Sequence, residues 1–152
     1  DDSVGKTFEQ IRVAVMQQSR DLEKLRTEVV EMREKMRHAQ RFTVDLFDLK
    51  QSKGGIIDVE FIVQYLVLVH AGKHAALTAN SGNIALLAKL GELEIIDADL
   101  AQQSADAYRA YRSLQHAARM QGEMDAKVEH ALVEQHAKAV IGLWDAVFAV
   151  AN

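Results

Sequence analysis

Cysteine and proline are both missing from this 152-residue sequence. Without cysteine there is no disulfide, no zinc-thiolate or iron-sulfur centre and no thiol nucleophile, a composition compatible with the reducing cytoplasm. Average usage would place roughly seven or eight prolines in a chain of this length, so their absence favours long, uninterrupted helices. Aromatic residues make up only 6%. No apolar run approaches the ~20 residues of a membrane span, and no membrane partner is expected. Basic excess is missing too: 18 Lys and Arg against 22 Asp and Glu give a net charge of -4, which argues against a nucleic-acid partner. Asp1 to Lys6 has neither the basic start nor the apolar stretch of a signal peptide, so export is not expected.

What is present is enough for a core. Hydrophobic residues at 49% against 26% charged exclude a disordered chain, and the length suits one domain over residues 1–152. Helical spacing dominates. Thr7 with Gln10 fits a capping box leading into Phe8, Ile11 and Val15. Leu22, Leu25, Val29, Met32 and Met36 form the apolar stripe of a second helix ending near His38, while Glu23, Lys24, Glu28, Glu31, Arg33, Glu34, Lys35 and Arg37 read as its solvated faces.

The rhythm fails from Phe42 to Lys50, where β-formers alternate with acids and an extended segment is expected. Gln51-Ser52-Lys53-Gly54-Gly55 is the one strong turn signal. The run Ile56 to His70 reads as a central helix apolar all round, with Asp58 as its N-cap and Gly72 as its C-cap. Asn80 or Ser81 is expected to cap a short helix through Ile84, Leu87 and Leu90, stopped by Gly91. Asp97 should cap a longer one with a seam of Leu100, Ser104, Ala107, Tyr111, Leu114 and Ala118, ended by Gly122. The last helix is expected from Lys127 to Ala149, with Leu132, Ala139, Leu143, Trp144, Val147 and Phe148 inward and Trp144 as the largest anchor. The expected fold is an all-α bundle of about six helices with one short extended or hairpin element near residues 42–57.

Special backbone and charge converge only around Gly54 and Gly55, with Asp48, Lys50 and Lys53 before them and Asp58 and Glu60 after. Glycine-exposed amides and lysines attract phosphate, and carboxylates hold magnesium through oxygen. A magnesium-nucleotide site is one reading of this spacing. A turn with solvated lysines and a helix-capping Asp58 is the other, and spacing alone leaves both open. His70 and His74 stand at metal-sharing spacing, but Gly72 between them and the absence of a third ligand nearby favour ordinary surface histidines. His130 and His136 read as solvated. Ser52 and Ser81 have no base partner in view. Tyr108 and Tyr111 with Arg109 and Arg112 read as core and surface rather than as a nucleic-acid patch.

Two stretches together resemble bacterial glutamine synthetase adenylyltransferase, also called glutamate-ammonia-ligase adenylyltransferase. One is Glu28-Val29-Val30-Glu31-Met32-Arg33-Glu34-Lys35-Met36-Arg37. The other is Phe47-Asp48-Leu49-Lys50, a short spacer, and then Gly54-Gly55-Ile56-Ile57-Asp58-Val59-Glu60-Phe61 continuing to Leu68. Asn83 to Leu90 is similar to the next segment of that family. The family has two related nucleotidyltransferase halves, one attaching AMP to a tyrosine of glutamine synthetase and one removing it by phosphorolysis.

The resemblance implies a C-terminal helical region behind the transferase domain of the adenylylating half. The glycine-serine turn and spaced aspartates of the catalytic core do not occur here, so no catalytic residue is expected in this chain and alone it should be inactive. ATP and magnesium are implied for the parent enzyme, with neither tightly bound to this part. The implied partners are an upstream nucleotidyltransferase domain, glutamine synthetase and the PII signal protein. Lys50 and Lys53 would neutralise phosphate, Gly54 and Gly55 would bring amides to it, and Asp58 and Glu60 would orient metal or lysine. The alternatives are a non-catalytic module docking glutamine synthetase or PII, and the equivalent region of a PII uridylyltransferase, where glutamine tends to replace Glu60 and a hydrolase domain follows.

Overall fold

A computed structural model describes residues 5–6, 22–40, 45–79 and 81–149. The expected first helix through Phe8, Ile11 and Val15, the extended start at Phe42 and the Asn80 cap lie outside the described residues. The rest is a helical protein carrying one small two-stranded ribbon.

Helix α1, Leu22–His38, has Glu23 in its first turn and Lys35 and Arg37 in its last, charges placed to favour the helix dipole. Its buried residues are Leu25, Val29 and Arg33. Arg33 therefore continues the apolar row by another step of four rather than lying on a solvated face, a correction taken up below. Strand β1, Leu46–Asp48, follows. It does not fold back on its own neighbourhood as a hairpin. Its antiparallel partner is β2, Lys127–Glu129, with Leu46 opposite Glu129, Phe47 opposite Val128 and Asp48 opposite Lys127. The reason is local. Oδ1 of Asp48 accepts the amides of Lys50 and Gln51, both at 2.9 Å, which bends the chain, and Gly54 at φ 87° turns it directly into the next helix.

Helix α2, Ile56–His70, is buried at Ile56, Ile57, Asp58, Val59, Phe61, Ile62, Val63, Tyr65 and Leu66, the all-round burial of a central helix. Two boundary expectations need correcting. Gly55 occupies the N-cap and Asp58 stands third in the helix, while Ala71 in a right-handed conformation occupies the C-cap and Gly72 lies beyond it. A 3₁₀ turn, Ala75–Thr78, leads to helix α3, Asn83–Glu92, whose N-cap is Gly82 rather than Ser81. Gly91 does not stop α3 but lies buried inside it. A Cβ there would stand 3.1 Å from Cβ of Ala101, so glycine permits close approach of helix α4, Ala98–Met120. The stop comes from Glu94 at φ 59°, with the Ile95 amide donating to the Leu90 carbonyl at 3.0 Å.

Asp97 caps α4 as expected, Oδ2 accepting the Leu100 amide at 2.9 Å. Gly122 ends it at φ 85°. Ala101, Ser104, Ala105, Ala107, Tyr111 and Gln115 are its buried residues, so the seam is shifted slightly around the helix from the expected one. Helix α5, His130–Phe148, begins after β2; the strand takes the three residues expected to start it. Leu132 is 61% exposed, against expectation, and Val133 is buried in its place. Trp144 is half-buried, its ring 4.3 Å from that of Phe148, which in turn lies 4.9 Å from Tyr65 on α2.

Candidate functional site

The segment between β1 and α2 is a tight loop built on its own backbone. Ser52 Oγ accepts the Asp48 amide at 2.9 Å, the Ser52 amide donates to the Asp48 carbonyl, and the Gly55 amide donates to the Ser52 carbonyl at 2.9 Å. The Ile56 amide returns to the Leu49 carbonyl at 2.8 Å. Ser52 thus has a structural partner, not a catalytic base. Both glycines are required by crowding, though differently. At Gly54, φ is 87° and a Cβ would meet the Ala137 carbonyl oxygen at 2.8 Å. At Gly55, φ is an ordinary -90°, but a Cβ would lie 2.7 Å from the Leu49 carbonyl oxygen and 2.9 Å from that of Ser52. The close approaches are therefore to the protein's own backbone.

Under this loop lies a charged pair. Arg33 is 0% and Asp58 1% exposed. Arg33 Nε donates to Asp58 Oδ1 at 2.5 Å, Nη2 to the Gln51 carbonyl at 2.7 Å and Nη1 to Gln51 Oε1 at 3.4 Å. The other carboxylate oxygen, Oδ2, accepts the Gly54 amide at 2.7 Å. The result is a closed ring from Gln51 through Arg33 and Asp58 to Gly54. Arg37, one turn on in α1, brings Nη2 to 3.6 Å from the same Oδ1 and donates Nη1 to Glu34 at 3.1 Å. From α4, Tyr111 donates its hydroxyl to the Gly54 carbonyl at 2.8 Å. Burial, with the Asp58 charge behind it, pushes the Tyr111 phenol well above its ordinary range, so it acts as a neutral donor. Phe47 packs against Tyr111 and His130, and His136 stands edge-on to Tyr111 at 6.0 Å. His130 is exposed, as expected, whereas His136 is half-buried.

The six residues singled out by spacing are therefore divided. Gly54, Gly55 and Asp58 face inward, with both amides and both carboxylate oxygens engaged within the chain. Lys53 is exposed, and Lys50 and Glu60 are half-buried. Glu60 belongs to a second, outer cluster. Burial raises its pKa above the ordinary carboxylate value, while Arg112, Lys50 and the Tyr108 hydroxyl counteract the rise. Tyr108 is in turn raised by burial and then by the Glu60 charge, and its hydroxyl accepts from Asn83 Nδ2 at 3.2 Å. Arg109 is on the surface with Asp106 at 3.3 Å.

Spacing missed Arg33, Gln51 and the hydroxyl role of Tyr111. The signal for Arg33 was in the row Leu25, Val29, Arg33, Arg37, four apart throughout, which lays a cation on the buried stripe. Elsewhere, burial and then the charges of His74 and Lys73 lower the His70 pKa, and among the described residues no group of three or more His, Asp or Glu is arranged to hold a metal. Among those residues, no helix is long and apolar enough to cross a membrane.

Comparison with known proteins bears on the same region. The family model described as GlnD PII-uridylyltransferase matches residues 17–145. The chain belongs to this family. Within the GlnD PII-uridylyltransferase family, it is similar to proteins named bifunctional glutamine synthetase adenylyltransferase/adenylyl-removing enzyme. The identity is 43% over 148 residues for that of Burkholderia mallei, 45% over 150 for Aromatoleum aromaticum and 45% over 148 for Chromobacterium violaceum. Each match takes in 97% of this chain and 16% of the relative. The chain thus spans about a sixth of the curated relatives it matches, and the family resemblance noted from Glu28–Arg37 and Phe47–Leu68 is borne out. Those two stretches meet in space at Arg33, Gln51 and Asp58.

Proposed function

We propose that this chain is the C-terminal helical part of the adenylyltransferase half of a bifunctional enzyme that adenylylates and deadenylylates glutamine synthetase in nitrogen regulation. In this reading it supports an upstream nucleotidyltransferase domain in the cytoplasm, and the Lys50 to Glu60 edge borders the nucleotide or the target protein. The observation that carries the reading is that both stretches resembling the adenylyltransferases build one loop and its buried support. The hydrogen-bonded ring through Arg33 and Asp58 holds from beneath a turn whose Lys53 is exposed.

Magnesium does not fit the loop's own donors. Asp58 is committed to Arg33 and Gly54, and Glu60 is held beside Tyr108. ATP and its metal would be bound by the catalytic domain, with Lys50 and Lys53 lending positive charge from the side. Such charge needs no inward-facing amide. Phosphoryl chemistry requires metal-holding carboxylates, so the chain by itself should transfer no AMP.

The test is AMP transfer from labelled ATP to glutamine synthetase by the full-length enzyme. Lys50→Met/Lys53→Met should lose about tenfold, equal to about 1.4 kcal/mol of barrier, while remaining folded by its melting curve. Normal transfer by this variant rejects the edge reading, and incorporation above background by the isolated chain rejects the assignment of catalysis to another domain. The description of the family model favours a second reading, the equivalent region of a PII uridylyltransferase. Transfer of UMP to PII in preference to AMP to glutamine synthetase would select it. A purely docking module is distinguished by Mg-ATP leaving Lys50 to Glu60 unperturbed when the catalytic domain is present.

A further inference from the structure

We infer that Arg33 is a positioning residue for the transfer reaction, acting through the loop that carries Lys50 and Lys53; the inference rests on the proposed function. Its hydrogen-bonding is one-sided. All three donating nitrogens of Arg33 serve residues 51 and 58, two to Gln51 and one to Asp58, and Asp58 passes the constraint on to the Gly54 amide. Gln51 and Gly54 flank Ser52 and Lys53, so the guanidinium fixes both ends of the turn from below.

A buried ion pair is seldom the most stabilising filling for a core, and well-packed apolar side chains often serve as well or better. What the pair supplies here is geometry. A planar fork with donors at fixed angles sets the Gln51 carbonyl and the Asp58 carboxylate relative to one another, which a lysine's single ammonium cannot do. Lys53 lies between Gln51 and Gly54, so a shift in that carbonyl moves the exposed cation, and half-buried Lys50 adjoins the same residue. The second guanidinium, Arg37, brings Nη2 to 3.6 Å from the same Asp58 Oδ1, so positive charge faces that oxygen from two successive turns of α1. Arg33 is thus fully buried and acts on the surface only through the turn that carries the exposed Lys53.

The experiment uses the full-length enzyme and measures kcat and KM for ATP and for glutamine synthetase, beside melting curves. Arg33→Lys keeps a charge for Asp58 but loses the fork, and Leu87→Ala, in the α3 core, serves as a control matched for thermal destabilisation. Arg33→Lys is expected to raise KM for ATP or for glutamine synthetase at least fivefold, whereas Leu87→Ala leaves both KM values within twofold. In a Lys50→Met/Lys53→Met background, Arg33→Lys should add less than twofold, because the groups it positions are gone. Should Arg33→Lys fail to fold, Asp58→Glu keeps both charges while displacing the Gly54 amide, and the same KM rise is expected.

Kinetics of Arg33→Lys or Asp58→Glu indistinguishable from the matched core variant would overturn the inference, as would fully multiplicative effects in the double variant. Failure of the proposed function looks different: the lysine variant alone would then transfer AMP at the normal rate.

Discussion

Asp58 and Glu60 are carboxylates two residues apart on one helix, and the protein treats them in opposite ways. Positions i and i+2 do not share a helix face. Asp58 points under the loop, where Arg33 and the Gly54 amide satisfy both its oxygens. Glu60 points to the outer cluster, where burial disfavours its charge more than Arg112, Lys50 and Tyr108 favour it. The lesson is that an acid's worth depends on its counter-groups rather than on its depth. The deeper carboxylate is the better accommodated one, because a fork was built for it.

The comparison breaks first at Asp58. Asp58→Asn should destabilise the fold by about 3 to 5 kcal/mol, because removing one partner of a buried pair leaves the other charge uncompensated. Thermal or urea unfolding measures it. The sequence alone suggests a milder outcome, since asparagine caps a helix nearly as well as aspartate, but Asp58 is not the cap. A loss under about 1 kcal/mol would show that the asparagine oxygen and the two Gln51 acceptors suffice for Arg33.

The two left-handed glycines sharpen the same contrast between a supported interior and an open surface. Gly54 and Gly122 have nearly equal dihedrals, φ 87° and 85°. Alanine at either costs about 1 to 2 kcal/mol of backbone strain, but at Gly54 its methyl also meets the Ala137 carbonyl oxygen at 2.8 Å, while nothing lies within 4 Å at Gly122. Gly54→Ala should therefore lose at least about 1 kcal/mol more than Gly122→Ala. Equal losses in unfolding experiments would mean that α5 yields easily at Ala137.

Tyr111→Phe should cost less again, about 1 to 2 kcal/mol, by leaving the buried Gly54 carbonyl without its donor. The measurement is denaturant unfolding, with an unchanged slope expected because the folded surface is preserved.

How far such differences are legible in sequence follows from their range. The α2 core helix, the Asp97 cap and the Gly122 stop are local, set by a few neighbouring residues, and spacing finds them. The Gly54-Gly55 turn is visible for the same reason. Its meaning is not, because the groups that crowd it, Ala137, Tyr111 and Arg33, come from three other helices. The partner of β1 is equally hidden: a three-residue strand carries no record of the strand it pairs with beyond α4. Arg33 lies between these cases. Its four-residue step from Val29 marks it as inward, yet a run of interspersed charges usually means a solvated face, and only the presence of Asp58 decides.

Glu60→Gln should give the smallest effect and the opposite sign. The raised Glu60 pKa means that the folded protein binds its proton more tightly than the unfolded chain, whose value is near 4.5. In that window stability falls as pH rises, so the ionised carboxylate is a net cost at neutral pH and none well below 4.5. Glutamine keeps the shape and an acceptor for the Tyr108 hydroxyl without the charge. At pH 7 the variant should be as stable as the parent or slightly more so, and the advantage should vanish toward pH 4. The outer cluster is part of the Lys50 to Glu60 edge, so the same variant should still lower AMP transfer in the full-length enzyme by a few-fold. Paired melting curves at pH 7 and pH 4, beside one transfer rate, test both halves. A variant less stable than the parent at pH 7, with the deficit shrinking in acid, would mean that Arg112 and Lys50 hold Glu60 as firmly as Arg33 holds Asp58, and the contrast between the two carboxylates would be lost.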